Sequence, residues 1–352
     1  MMGYEFDVDT RALFTERYPQ FVNLGIPAAD LDRVRAAITT MWADQPGGWT
    51  YELSALAGQY AQRGEHYLAS LAYGIAKFPV LATAARRRAL RRQLEEYQLA
   101  APAFGVRFER LILQVPYRGG TTAVAVHLLS PAGDYPQAPV VLFSGGIDTW
   151  KMDLHPLAAG LAAGAGLTVL AFDLPGTGET RAPLDGSADE VIGGLIGQAR
   201  RLGNGKTGHF GVSFGGNFAA MSGLSAAVDA AVDLGGPVDA AFAPENFRRL
   251  MFGMAGIAGN AYGFTAPPTE AQMTRASAPS IRRALLARRT NAPMLIINGA
   301  DDVHVPQADT LVFQGRPDTE VHLIPGTGHC AAAKLPEVMP IVTGWLAARL
   351  AG

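Results

Sequence analysis

The sequence predicts an α/β fold, a mostly parallel sheet with helices on both faces, joined to an N-terminal all-helical cap. Short, fully apolar segments alternate with helical stretches at 140–143, 167–172, 208–212, 230–234, 294–298 and 321–324. Strands that are apolar on both faces belong to a parallel sheet covered on both sides. Residues 1–104, in contrast, carry only helical spacing. A third observation lies in Gly208-His209-Phe210-Gly211-Val212-Ser213-Phe214-Gly215-Gly216, which holds G-x-S-x-G between a strand-like lead-in and a helix-like run at 217–227. Strand, sharp turn and helix in that order form a nucleophile elbow, with glycine two residues either side of the serine because the two backbones pass too close for a Cβ.

In the N-terminal region Leu31, Val34, Ile38 and Met41 recur at three- and four-residue spacing, as do Leu53, Leu56, Ala57 and Tyr60. Small residues and tyrosines over 57–79 resemble a single helix-hairpin-helix unit, too little for a repeat array and enough for a cap. Arg86, Arg87, Arg88, Arg91 and Arg92 precede Glu95 and Glu96, which reads as a solvated helix face with i,i+4 pairs. From Arg107 the period becomes two, and Tyr117-Arg118-Gly119-Gly120-Thr121 turns one strand back on another. An antiparallel pair therefore opens the second domain, set at 105–352 against a first domain at 1–104. The apolar run 157–172 reads as a buried helix followed by a strand and not as a membrane span. Residues 242–290 break the alternation, and a helical insertion beside the site is expected there.

The 352 residues are 49% hydrophobic and 17% charged, with 29 basic and 31 acidic side chains. A net charge of −2 gives no electrostatic footprint for nucleic acid or an anionic membrane surface. The single cysteine, Cys330, excludes an intrachain disulfide framework and a multi-cysteine metal site. It points to a reducing, cytoplasmic setting. The acidic start shows no secretion signal. No metal is expected.

A serine hydroxyl needs a base before it becomes a nucleophile, and the base needs a carboxylate to orient it. Both follow in the order this architecture demands. After the strand at 294–298 comes Gly299-Ala300-Asp301-Asp302-Val303-His304. Asp302 is preferred because the acid in such a fold falls three residues after the glycine; Asp301 with the roles reversed is the alternative. His329, in Pro325-Gly326-Thr327-Gly328-His329 between the last strand and the closing helix at 335–350, is the expected base, with His304 the weaker one. The N–H of Phe214 at the helix start is one oxyanion donor. The second is expected from Ser144-Gly145-Gly146-Ile147-Asp148, where Gly146 is chosen over Gly145 or Ile147. Asp173-Leu174-Pro175-Gly176-Thr177-Gly178 is too short for a dinucleotide fingerprint, so no nucleotide cofactor is inferred. Met251, Phe252, Met254, Tyr262 and Phe264 are expected to line an apolar pocket for a hydrophobic or aromatic small molecule.

Elbow, acid, histidine and the Asp173-x-Pro175-Gly176-x-Gly178 turn resemble the α/β-hydrolase superfamily over roughly residues 107–352. The helical N-terminus with Gly145-Gly146-Ile147-Asp148-Thr149-Trp150-Lys151 resembles, more narrowly, its FrsA-like branch. That resemblance implies an α/β-hydrolase fold and cleavage of a carbon–carbon bond next to a ketone, or ester hydrolysis, by Ser-His-Asp without a cofactor. It also implies a helical domain that serves as cap and homodimer surface. Carbon–carbon cleaving members add a glutamate beyond the nucleophile, a position that Glu245 matches; Glu245 could equally be a helix N-terminal acid after Pro244. Lys151-Met152-Asp153 departs from the more acidic pattern of the branch. The leading expectation is hydrolysis of an acyl–carbon bond in a β-diketone or acyl-aromatic compound. Carboxylesterase or thioesterase activity, acyl transfer or cyclisation in polyketide-type metabolism, and a non-catalytic ligand-binding role are the alternatives.

Overall fold

The computed structural model describes residues 3–131, 138–276 and 281–351. Five helices come first: α1 (Thr10–Asn23), α2 (Ala28–Ala37), α3 (Trp49–Gln62), α4 (His66–Lys77) and α5 (Ala84–Ala100). Asp9 caps α1 by accepting the N–H groups of Arg11 and Ala12. Leu53, Leu56, Ala57 and Tyr60 form the buried stripe of α3 and pack with Phe14, Phe21 and Trp49 into a core of their own. The helix expected to run through Ile38 and Met41 stops at Ala37, where Ile38 turns extended, yet both side chains are buried. Arg86 also departs from expectation. It is not on a solvated face but fully buried, donating to the carbonyls of Phe78 and Met41 at 3.1 and 2.8 Å. The expected i,i+4 pairing is seen at Arg92, whose guanidinium lies 3.1 Å from Glu96.

The remainder is one eight-stranded sheet flanked by helices. Its elements are β1 (Arg107–Tyr117), β2 (Gly120–Ser130), β3 (Val140–Ser144), α6 (His155–Ala165), β4 (Thr168–Phe172), α7 (Ala188–Leu202), β5 (Thr207–Val212), α8 (Phe214–Leu224) and β6 (Ala230–Leu234). Four short helices follow, α9 (Pro244–Phe247), α10 (Met254–Ala261), α11 (Glu270–Ala276) and α12 (Arg282–Ala287), in the expected insertion. The chain closes with β7 (Met294–Gly299), α13 (Gln307–Leu311), β8 (Thr319–Ile324) and α14 (Leu335–Leu350). Strand order is β1-β2-β4-β3-β5-β6-β7-β8. The β1–β2 and β2–β4 pairs are antiparallel and every later pair is parallel.

The period of two sorts the strand side chains onto two faces. Val140, Leu142, Leu170 and Phe172 pack with Val191 and Leu195 of α7, whereas Val141, Phe143, Val169 and Phe210 pack with Leu161 of α6 and Leu346 of α14. This double burial is why the parallel strands read as unbroken apolar runs. The loops after β3, β5, β7 and β8 all leave the carboxyl edge of the sheet, where open α/β sheets bind ligands. Among the described residues, no helix is long and apolar enough to cross a membrane.

Candidate active site

Ser213 stands on the second of these crossings, directly after β5. It occupies the position before α8 with φ 56° and ψ −127°, a left-handed conformation that costs a side-chain-bearing residue about 1–3 kcal/mol. The surrounding backbone imposes it: the Ser213 N–H donates to the Leu234 carbonyl at 2.8 Å, and the Ser213 carbonyl accepts from Gly216 N–H at 2.8 Å. A Cβ on Gly211 would collide with the Gly215 carbonyl, and one on Gly215 would come within 2.6 Å of the Gly145 carbonyl. Both glycines of the motif are therefore sterically required. Helix α8 starts at Phe214 itself, earlier than the sequence run implied, which leaves the Phe214 N–H unpaired in the first turn.

The acid and histidine loops converge on that hydroxyl. His329 Nε2 lies 2.9 Å from Ser213 Oγ, and His329 Nδ1 lies 2.7 Å from Asp302 Oδ2. Asp302, and not Asp301, reaches the imidazole; Asp301 is an exposed turn residue. Asp302 Oδ2 also accepts from Asn298 Nδ2 at 2.9 Å, and Oδ1 accepts the N–H groups of His304 and Val305 at 2.7 and 3.1 Å. Burial alone would raise this carboxyl, but the imidazole, the amide and the N–H outweigh it and hold the group down to about 2. For His329 burial disfavours the charged ring, yet the Cys330 sulfur beside it and the Asp302 carboxylate at 2.7 Å together prevail and lift its pKa well above the ordinary imidazole value.

Asn298 was not singled out from the sequence. Its Oδ1 accepts from Gly299 N–H at 2.9 Å and Cys330 N–H at 3.0 Å while its Nδ2 holds Asp302. One amide at the end of β7 thus ties the acid loop to the histidine loop. The visible signal was a lone polar residue ending the apolar run Met294-Leu295-Ile296-Ile297. Cys330 is buried beside the histidine, as expected.

Gly146 faces the serine across the mouth of the site. A Cβ there would lie 2.9 Å from Ser213 Oγ and 3.7 Å from Phe214 N, so the absent side chain leaves room for a reacting oxygen between them. The site opens into a cavity of about 290 Å³. Met254 and Tyr262 line it, as expected, along with Ala258: four-residue steps place all three on one face of α10 and its end. The other three expected wall residues lie elsewhere. Met251 is 49% exposed and Phe252 packs toward the N-terminal helices and His304, both in the turn before α10 begins; Phe264 lies past its end in the wall of a second cavity. The insertion contributes Phe242, Phe247 and Leu250 instead. Glu245 is exposed on the first turn of α9 and is not part of the cavity wall, the placement of a helix N-terminal acid after Pro244.

How the N-terminal helices reach the site could not be read from residue spacing. Glu16, Gln20 and Asn23 fall on one face of α1 and enter the cavity wall with Arg17. Arg17 is buried and pairs with Asp148 at 2.8 Å, so α1 is locked to the same loop that carries Gly146. Lys77, at the end of α4, adds a buried pair with Asp153 at 2.7 Å and lies 3.9 Å from the centre of the Trp150 ring. Lys151, fully buried, is neutralised by Asp173 at 2.6 Å and Glu179 at 2.8 Å. The Asp173–Gly178 turn and the Gly145–Lys151 stretch are thereby one charge-balanced unit behind the serine. Among the described residues no group of histidine, cysteine and carboxylate side chains is arranged to hold a metal ion.

A family profile described as Esterase FrsA-like matches residues 36–328. The sequence is 25% identical over 242 residues to Esterase FrsA of Photobacterium profundum, covering 59% of this chain and 56% of that protein. With Esterase FrsA of Vibrio cholerae it is 30% identical over 228 residues, covering 59% and 53%. The chain thus spans about half the length of the curated relatives it matches. Among solved structures, AbyA5 superimposes with a TM-score of 0.81 at 22% identity, covering 97% of this chain and 95% of that one. The 2,6-dihydroxy-pseudo-oxynicotine hydrolase gives 0.77 at 21% identity, covering 95% and 96%. These two share the fold along nearly the entire length, N-terminal helices included. With the elbow, the strand order and a profile match over most of its length, the chain belongs to the FrsA-like esterase family of α/β-hydrolases.

Proposed function

We propose that the protein is a serine hydrolase that cleaves an acyl–carbon bond of a ketone, β-diketone or acyl-aromatic small molecule through an acyl-serine intermediate. The observation that carries this reading is the unbroken line from Asp302 through His329 to Ser213, with contacts of 2.7 and 2.9 Å. Ser213 Oγ attacks the carbonyl carbon as His329 Nε2 takes its proton, and Asp302 balances the imidazolium that forms. The N–H groups of Phe214 and Gly146 hold the oxyanion. As the tetrahedral adduct collapses, the acyl–carbon bond breaks and its electron pair leaves with the departing carbon, which takes the proton from His329. Water, deprotonated by the same ring, then releases the acid and restores Ser213. Residues 1–104 act as the cap, with α1 closing the apolar cavity so that the carbanion forms away from bulk water.

Carboxylesterase activity is the second reading. It is favoured by the solvent-facing position of Glu245, outside the cavity wall where a residue serving carbon–carbon cleavage would touch substrate. An aryl ester and an aryl β-diketone with the same acyl group separate the two, with Ser213→Ala as the blank. The proposal expects the diketone to be cleaved at a rate within about tenfold of the ester; serine-dependent cleavage of the ester alone moves the assignment to carboxylesterase.

A pH profile follows from the raised His329. The ring accepts a proton only when neutral, so kcat/KM is expected to fall as pH drops through its pKa, with the midpoint of that limb above the ordinary imidazole value of about 6.5. A limb whose midpoint Asp302→Asn leaves unmoved contradicts the Asp302 pairing.

A further inference from the structure

We propose that Glu16 and His304 together grip a hydroxyl oxygen of the substrate, close beside the Ser213–His329 pair, and so select acyl compounds whose leaving group carries an enol or phenol hydroxyl. Both side chains line the cavity, Glu16 from α1 and His304 from the loop after β7. The His304 side chain is only 5% exposed, yet among the described residues neither of its ring nitrogens has a hydrogen-bond partner. A buried imidazole left in that state is costly, and native structures rarely keep one without use. Glu16 Oε1 lies 3.9 Å from His304 Nε2, too far for a direct hydrogen bond.

Both partners are held from other sides. The His304 backbone N–H donates to Asp302 Oδ1 at 2.7 Å, which fixes the loop, and Phe252 packs edge-on against the ring with 6.1 Å between centroids. Glu16 is held from the other side by Arg17 Nε at 2.9 Å, and Arg17 in turn by Asp148. Burial works to raise the Glu16 carboxyl, but His304 and Arg17 beside it keep it below its ordinary value, hence an acceptor.

One oxygen placed about 2.8 Å from both atoms spans the gap with an angle near 90° at that oxygen, accepting from His304 Nε2–H and donating its own hydrogen to Glu16. Only a group that both donates and accepts satisfies the pair: a hydroxyl does, an ether or ketone cannot donate, and an ammonium cannot accept. The His304 and His329 rings lie 5.6 Å apart, which puts that hydroxyl on the portion of the substrate next to the bond that breaks. This last step rests on the acyl-serine reading above; the grip itself does not.

The test uses 3-hydroxyphenyl acetate and 3-methoxyphenyl acetate, equal in acyl group and unable to report on carbon–carbon cleavage. Wild type is expected to prefer the hydroxy ester by about tenfold or more in kcat/KM, carried by KM, and His304→Phe and Glu16→Met each to reduce that preference to about twofold or less. Because a ratio is read, a general loss of folded protein does not mimic the result. No preference in wild type, or a preference that both variants keep, overturns the proposal; so does a site that holds only water, which gives no preference. Binding of the two intact esters to Ser213→Ala, measured by calorimetry, reads the grip without turnover. A hydroxyl preference there, lost on adding His304→Phe, upholds the grip even if wild type hydrolyses neither ester, in which case only the acyl-serine reading fails. Equal binding of the two esters overturns it.

Discussion

Ser213→Ala is expected to lower kcat on any substrate the protein turns over by roughly 10⁴-fold or more, leaving KM within a few-fold. The loss is large because, in the proposed mechanism, the hydroxyl is the atom that forms the new bond, and the neighbouring cavity nucleophile, Cys330, is buried and packed against Gly235. The fold should tolerate the change, since the backbone holds position 213 at positive φ whether serine or alanine stands there, and among the described residues the hydroxyl's contact is to His329. Steady-state kinetics beside a thermal melt checks both halves. A variant that keeps full activity with an unchanged melt points to a binding protein or to chemistry at another residue.

Asp302→Asn is expected to cost about 10³- to 10⁴-fold in kcat. An amide presenting its NH₂ to His329 Nδ1 would favour the ring tautomer whose Nε2 already carries a hydrogen, the wrong one for a base; presenting its oxygen instead would turn the NH₂ onto the N–H groups of His304 and Val305, donor against donor. The charge that stabilises the imidazolium disappears as well, so the acid limb of any residual activity moves to lower pH. Asp301→Asn is the matched control. Its side chain is exposed and does not reach the imidazole, and activity within a few-fold of wild type is expected. Comparable losses from both substitutions would reverse the assignment of the acid.

The parallel sheet and its elbow were legible because each rests on a local steric or burial rule. Continuous apolar runs such as Val140-Val141-Leu142-Phe143 have no exposed face to offer, and the glycines at 211 and 215 stand where a Cβ collides with neighbouring backbone. Asp302 and His329 were legible through chain order alone, since the loops that carry them follow consecutive strands of one sheet. What the sequence could not show were contacts between distant segments. Arg86 reads as one of five similar arginines, and only the carbonyls of Met41 and Phe78 brought against it make it a core residue. The face of α1 that meets the cavity has no periodicity distinguishing it from a solvated face, because Glu16, Arg17, Gln20 and Asn23 are polar, and only the loop at 148–149 brought against Arg17 and Gln20 sets it apart. The pocket expectation failed in part for a geometric reason: composition gathers Met251, Phe252 and Phe264 with Met254 and Tyr262, but only the last two lie on the face of α10 and its end that lines the cavity.

The central claim is that Ser213 is a nucleophile made reactive by His329, and covalent trapping with a fluorophosphonate tests it independently of any substrate. Peptide mass mapping is expected to find one phosphonyl adduct per chain, on the peptide containing Ser213, with labelling slowed by at least about 10³-fold in His329→Gln. Labelling at the same rate in that variant, an adduct on another residue, or none at all would contradict the account.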